Sequence, residues 1–189
     1  MAPSATRLDL RKARALLVDD NPQSLELLSQ VLAGFRLQQL KSCQSADEAR
    51  SLVAREKFDL ILIDYAMPGE DGLRLARHIR SEPSLPNQTA PILILHGYTP
   101  AEMVIQARDA GANMIIRKPV APSVLLGRIE WIARNNRPFV DSGAYRGPDR
   151  RIRNVPLSPE TPERRAEALA LVVDPDRAMS QDDVTALFG

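Results

Sequence analysis

Three carboxylates and one amine are placed where they could do chemistry together. Asp19 and Asp20 follow the apolar run "ALLV" (15–18), Asp64 closes the run "LILI" (60–63), and Lys118, followed by Pro119, closes "MIIR" (114–117). If these runs are parallel strands, all four groups emerge at strand carboxyl ends, where open α/β sheets bind ligands. Three carboxylates in one crevice repel one another. A hard cation relieves the repulsion, because Mg²⁺ takes carboxylate oxygens, keeps some waters and binds phosphate. One carboxylate can then attack phosphorus and form an aspartyl phosphate. The lysine offers a point charge to phosphate oxygens.

The elements needed to hold these groups are legible between about Ala15 and Arg134. The runs "ALLV", "LILI", "PILIL" (91–95) and "MIIR" are continuously apolar, as strands buried on both faces must be. A weaker run, "LQQLKSC" (37–43), suits an edge strand. Helix signals lie between the runs. Asn21-Pro22 supplies a cap and a first-turn proline ahead of Leu25, Leu28, Leu32 and Phe35. Ser45 with Glu48 forms a capping box ahead of Ala49, Leu52 and Val53, and Thr99-Pro100-Ala101-Glu102 repeats the device ahead of Met103, Ala107 and Ala110. Leu125, Ile129 and Ile132 give the last helix its buried face. His78, among Arg74, Arg77 and Arg80, reads as an exposed helix residue. Alternating strands and helices predict a parallel sheet covered on both sides. In that setting a buried strand holds Asp64 rigidly, and the turn with Pro68, Gly69 and Gly72 leaves its carboxylate open.

The totals exclude several classes. Over 189 residues the formal net charge is +1, which gives no general attraction to nucleic acid or acidic membrane. The single cysteine, Cys43, excludes an internal disulfide framework and fits a reducing compartment. No apolar run approaches the ~20 residues of a membrane span. The expectation is a soluble, cytoplasmic protein.

"LLVDDNP", "LILIDYAMPGEDG" and "GANMIIRKP", in this order, resemble the three signature blocks of the receiver domain of bacterial response regulators, the CheY-like family. The resemblance covers about residues 13–135. It implies a five-stranded parallel, doubly wound sheet of order 2-1-3-4-5, an order taken from the family. It implies that Asp64 is the phosphoacceptor, that Asp20 ligates Mg²⁺ directly, and that Asp19 helps through water. The backbone carbonyl of Ala66 would be a further metal ligand, and Lys118 would contact the phosphoryl group through a loop with a cis Lys118-Pro119 bond. The donor would be a sensor histidine kinase or a histidine phosphotransfer protein. The protein would accept a phosphoryl group, with at most slow autodephosphorylation, and would not be a turnover enzyme.

Two positions depart from the family pattern. His96 stands where a threonine or serine usually bonds the phosphoryl group, and Ile115 stands at the usual switch aromatic. Imidazole could donate through a ring N–H or simply face solvent. Without the hydroxyl and the aromatic, the usual coupling between them is not expected.

The expected organisation is an N-terminal arm over 1–12, the receiver over 13–135, an Arg/Pro-rich linker over 136–161, and a tail over 162–189. The tail holds two short helix candidates, at 162–173 and 180–188. No helix-turn-helix pattern of adequate length follows the receiver, so a stand-alone regulator acting through protein contacts is expected, without DNA. Arg146, Arg150, Arg151 and Arg153, with Tyr145 nearby, could grip phosphate. Some CheY-like proteins with arginine-rich extensions bind a cyclic dinucleotide, which makes a nucleotide effector with a receiver scaffold the alternative reading. A solvated basic linker would leave the same composition. The final "MSQDDVTALFG" resembles the short peptide of the flagellar switch protein that binds CheY. Ser180 would cap a helix whose Val184, Leu187 and Phe188 dock on this receiver, on another receiver or on a chemotaxis component.

Overall fold

Leu60–Asp64 is buried at every position, and the sheet is built around it. The structure, a computed structural model, describes residues 7–82, 85–97, 101–135, 137–143, 145–149 and 171–172. Its strands are β1 (Arg7–Leu8), β2 (Arg14–Val18), β3 (Gln39–Cys43), β4 (Leu60–Asp64), β5 (Ile92–His96), β6 (Met114–Arg117), β7 (Phe139–Asp141), β8 (Arg146–Pro148) and β9 (Leu171–Val172). Its helices are α1 (Pro22–Gly34), α2 (Ala46–Arg55), α3 (Gly72–Ser81), α4 (Ala101–Asp109) and α5 (Pro122–Arg134).

The five long strands form one parallel sheet in the order β3-β2-β4-β5-β6. Counted among themselves, that is 2-1-3-4-5, as expected. Successive residues of a strand point to opposite faces, and here both faces are covered. Leu60, Leu62, Leu93 and Leu95 pack with α1 and α5 through Leu28, Leu32, Leu125 and Ile129. Ile61, Ile63, Ile92 and Ile94 pack on the other face with Val53, Leu75, Ile79 and Ala107 of α2, α3 and α4. Two covered faces explain the absence of polar alternation in these runs.

Local signals set the helix starts. The Asn21 side chain accepts the N–H groups of Gln23 and Ser24, with Pro22 in the first turn. Ser45 Oγ accepts the Glu48 N–H at 3.2 Å. The box closes one residue earlier than the motif predicts, since Glu48 accepts the N–H of Gln44. Asp71 caps α3 through the Arg74 N–H at 2.8 Å. The Thr99-Pro100 signal ahead of α4 lies outside the described residues.

Beyond α5 the chain is more structured than its composition suggests. Within the stretch read as a linker, β7 and β8 pair antiparallel as a hairpin. Phe139 is buried, and Arg146 Nη1 donates to the carbonyl of Ser81 in α3. The three-residue strands are too short to show periodicity, which hid them in the sequence. Of the helix read over 162–173, only residues 171–172 are described; they are a strand, β9, antiparallel to β1. Leu8 and Leu10, from the expected N-terminal arm, are buried in the α1–α5 layer. Among the described residues, no helix is long and apolar enough to cross a membrane.

Candidate functional site

Parallel pairing brings the ends of β2, β4 and β6 to one rim. Val18 stands opposite Ile63, and Asp64 opposite Leu95, so Asp19 and Asp64 leave the sheet side by side. Asp19 is 1% exposed and Asp64 5%. Asp19 is held on several sides: Oδ1 accepts the Asn21 N–H at 3.0 Å, and Oδ2 accepts the Ser24 hydroxyl at 2.6 Å. Asp64 Oδ2 accepts the Ala66 N–H at 2.8 Å.

Lys118 joins the two carboxylates. Its Nζ lies 2.6 Å from Asp19 Oδ2 and 2.5 Å from Asp64 Oδ1. Its backbone N–H donates to the His96 carbonyl at 2.8 Å, and the Lys118-Pro119 peptide is cis. Burial works against the ammonium charge, but the hydrogen bonds and charges of Asp19 and Asp64 outweigh it and raise the Lys118 pKa. The group is therefore charged at neutral pH.

Asp19, Asp20 and Asp64 each offer an oxygen within 4.8 Å of the others. Lys118 neutralises one of the three negative charges, and a divalent cation would match the two left over. The donors are all oxygen, as a hard cation prefers. The residues present therefore fit Mg²⁺, with Asp19, Asp20, Asp64 and the Ala66 carbonyl as the candidate ligands.

The turn behind Asp64 explains the second glycine of the motif. A Cβ on Gly72 would stand 2.2 Å from the Asp64 carbonyl oxygen. The Gly72 N–H donates to the Tyr65 carbonyl at 2.9 Å, which seats α3 against the end of β4. Gly69 has φ +79°, a conformation that favours glycine.

His96 ends β5 half-buried, with its ring centroid 4.4 Å from that of Tyr65 and the planes inclined by 32°. It is thus a packed residue at the rim and not a bare loop histidine. Ile115 is half-buried and packs against the α2–α4 layer. Arg146 lies in β8, away from the acidic rim, with its Nε 2.9 Å from Asp141 Oδ1. Arg150, Arg151, Arg153, Val184, Leu187 and Phe188 lie outside the described residues. Sequence reasoning missed Ser24. Its signal was present, since the first turn of a helix capped by Asn21 returns toward Asp19.

An open parallel sheet of this strand order, with an acidic cluster and a lysine at its carboxyl rim, is a receiver-type arrangement. Residues 15–130 match the response regulator receiver domain, and the chain belongs to that family. It is 36% identical over 111 residues to the response regulator protein PilR of Pseudomonas aeruginosa, covering 59% of this chain and 24% of that protein. It is 35% identical over 130 residues to protein PetR of Rhodobacter capsulatus, covering 68% of this chain and 52% of that one. The chain thus spans about a quarter and about half of these two relatives. Among solved structures, a putative response regulator from Chloroflexus aurantiacus aligns with TM-score 0.57 at 31% identity, over 63% of this chain and 96% of that one.

Proposed function

We propose that this receiver takes a phosphoryl group on Asp64 from a histidine kinase or a histidine phosphotransfer protein, and passes its signal on through protein contacts. The observation that carries the reading is the Lys118 ammonium bridging Asp64 Oδ1 and Asp19 Oδ2 at the open end of a rigid strand. An Asp64 carboxylate oxygen attacks phosphorus, forming the O–P bond as the donor's N–P bond breaks. The bonding pair stays on the donor imidazole nitrogen, which takes up a proton. Lys118 balances charge on the phosphoryl oxygens, while Asn21 and Ser24 keep Asp19 oriented. Bound Mg²⁺ would neutralise further charge on the transferring group. The chain consumes its phosphodonor once per event, with at most slow loss of the acyl phosphate, and does not turn over as an enzyme.

His96 and Ile115 replace the family's hydroxyl and aromatic. The signal then leaves by a route other than their coupled movement, and His96 tunes the lifetime of the phosphorylated state. Residues 136–189 carry no helix-turn-helix pattern, which favours protein contacts over DNA for this stretch. Its final peptide, with Val184, Leu187 and Phe188, would dock on a receiver. The test is incubation of the full chain with a small-molecule phosphodonor, with Mg²⁺ or with chelator, read by intact mass. A gain of one phosphoryl group with Mg²⁺ only supports the reading. Equal gain with chelator, or none with Mg²⁺, refutes it.

A further inference from the structure

Arg80 is the one charged side chain among the described residues that is buried without a carboxylate partner near its charge. It is 2% exposed, at the end of α3. Its Nε donates to the Gly111 carbonyl at 3.0 Å, Nη1 to the Gln88 carbonyl at 2.6 Å, and Nη2 to Asn113 Oδ1 at 3.1 Å. The guanidinium also lies 5.7 Å from the centre of the Phe139 ring. These dipoles solvate the cation, but no described carboxylate neutralises it. Burial lowers its pKa to about 9, so it remains charged at neutral pH. A guanidinium has five N–H groups, and the three bonds leave two of them over.

A cleft of about 450 Å³ opens beside this residue, lined by Arg77, Arg80, Ser81, Asp109, Tyr145 and Arg146. Arg77 is one helical turn before Arg80, and its side chain has no hydrogen bond or ion pair among the described residues. Arg146 enters from the hairpin. Its Nε is on Asp141 and its Nη1 on the Ser81 carbonyl, which leaves N–H groups on both Nη atoms. Asp109, the carboxylate on the wall, is already paired with Arg108.

The hairpin is fitted to this place by two glycines. A Cβ on Gly111 would lie 2.6 Å from the Arg146 carbonyl oxygen, and one on Gly147 would lie 2.8 Å from Gly111 Cα. Their absence lets β8 rest directly on the turn before β6, which fixes Arg146 across from α3. The C-terminus of α3 and the start of β6 are at the amino end of the sheet, opposite the Asp64 rim. The cleft is therefore separate from the phosphoacceptor.

We propose that this cleft binds a phosphate-bearing small molecule, whose oxygens are taken by Arg77, Arg146 and the remaining N–H groups of Arg80. Guanidinium groups arriving from two elements reach more oxygens than one carboxylate offers, and phosphate suits that arrangement. The bound anion also supplies the negative charge that Arg80 lacks.

Inorganic pyrophosphate is the probe, titrated into isotope-labelled full chain at low ionic strength with chelator present. Without metal, the acidic Asp19–Asp64 rim repels an anion. Saturable shifts are expected at the amides of Ser81, Gly111 and Tyr145 and at arginine Nε–H signals. Arg77→Ala and Arg146→Ala, each with an unchanged melting temperature, should weaken binding by roughly fivefold or more, as loss of a charge-assisted bond does. Non-saturable shifts, shifts centred on Asp64, or the same response to sodium chloride at matched ionic strength would overturn the proposal. So would full affinity in both variants with loss in Arg150→Ala/Arg151→Ala, which would place binding after the hairpin.

Discussion

A side chain on Gly72 would collide with the backbone of Asp64: the added Cβ would be 2.2 Å from the carbonyl oxygen and 2.9 Å from Ile63 Cγ2. The first residue of α3 thus fixes how closely that helix approaches the end of β4. Backbone cannot swing aside as a flexible side chain can. Gly72→Ala should lower stability by about 3 kcal/mol, the upper part of the range for overpacking. Urea denaturation measures it, and an unchanged midpoint would show that the contact relaxes freely.

Lys118 holds two of the carboxylates that a bound Mg²⁺ would share. Lys118→Met removes a positive charge 2.5 Å from Asp64 and 2.6 Å from Asp19. Mg²⁺ affinity should rise about tenfold, because the cation no longer meets a resident ammonium. Phosphorylation should slow, since the phosphoryl oxygens lose their point charge. Calorimetry and mass-detected kinetics separate the two effects. Unchanged metal affinity would mean that lysine and cluster are uncoupled.

Cys43 ends β3 buried, and desolvation pushes its thiol up to about 12. At pH 8 the native thiol should resist disulfide reagents and react only as fast as the protein opens. The folded pKa is above the unfolded one, so the folded state holds the proton longer. This contribution to stability is complete below the unfolded pKa of about 8.5 and is lost as pH rises toward 12. Rapid labelling of native protein would contradict the burial.

His96 packs on Tyr65, the residue after Asp64. His96→Thr should change the lifetime of phosphorylated Asp64 by at least about twofold, since it replaces a ring N–H donor with a hydroxyl at the rim. Decay followed by intact mass gives the lifetime. Identical decay in both proteins would make His96 a packing residue only.

The strands were legible because burial on both faces leaves a continuous apolar run, and the runs at 15–18, 60–63, 91–95 and 114–117 lie within a residue of β2, β4, β5 and β6. Asp19, Asp64 and Lys118 were legible for a related reason: a charged group ending such a run has nowhere to emerge but the rim. Long-range polar partners were not legible. Arg80 reads as one of several arginines on a solvated helix face, and only Gly111, Gln88 and Asn113 turn it into a buried cation. Asn87 carries no local sequence signal, yet it is fully buried and bonds the Phe58 N–H and the carbonyls of Val53 and Glu56, about thirty positions away.

The central claim is that phosphorus is carried by Asp64. Borohydride reduces an acyl phosphate to the alcohol and so marks the acceptor position. After reaction with a small phosphodonor and Mg²⁺, reduction followed by peptide mass mapping should find homoserine at residue 64 alone, and none in Asp64→Asn. Homoserine at residue 19 or 20, or undiminished phosphorylation in Asp64→Asn, would contradict the account.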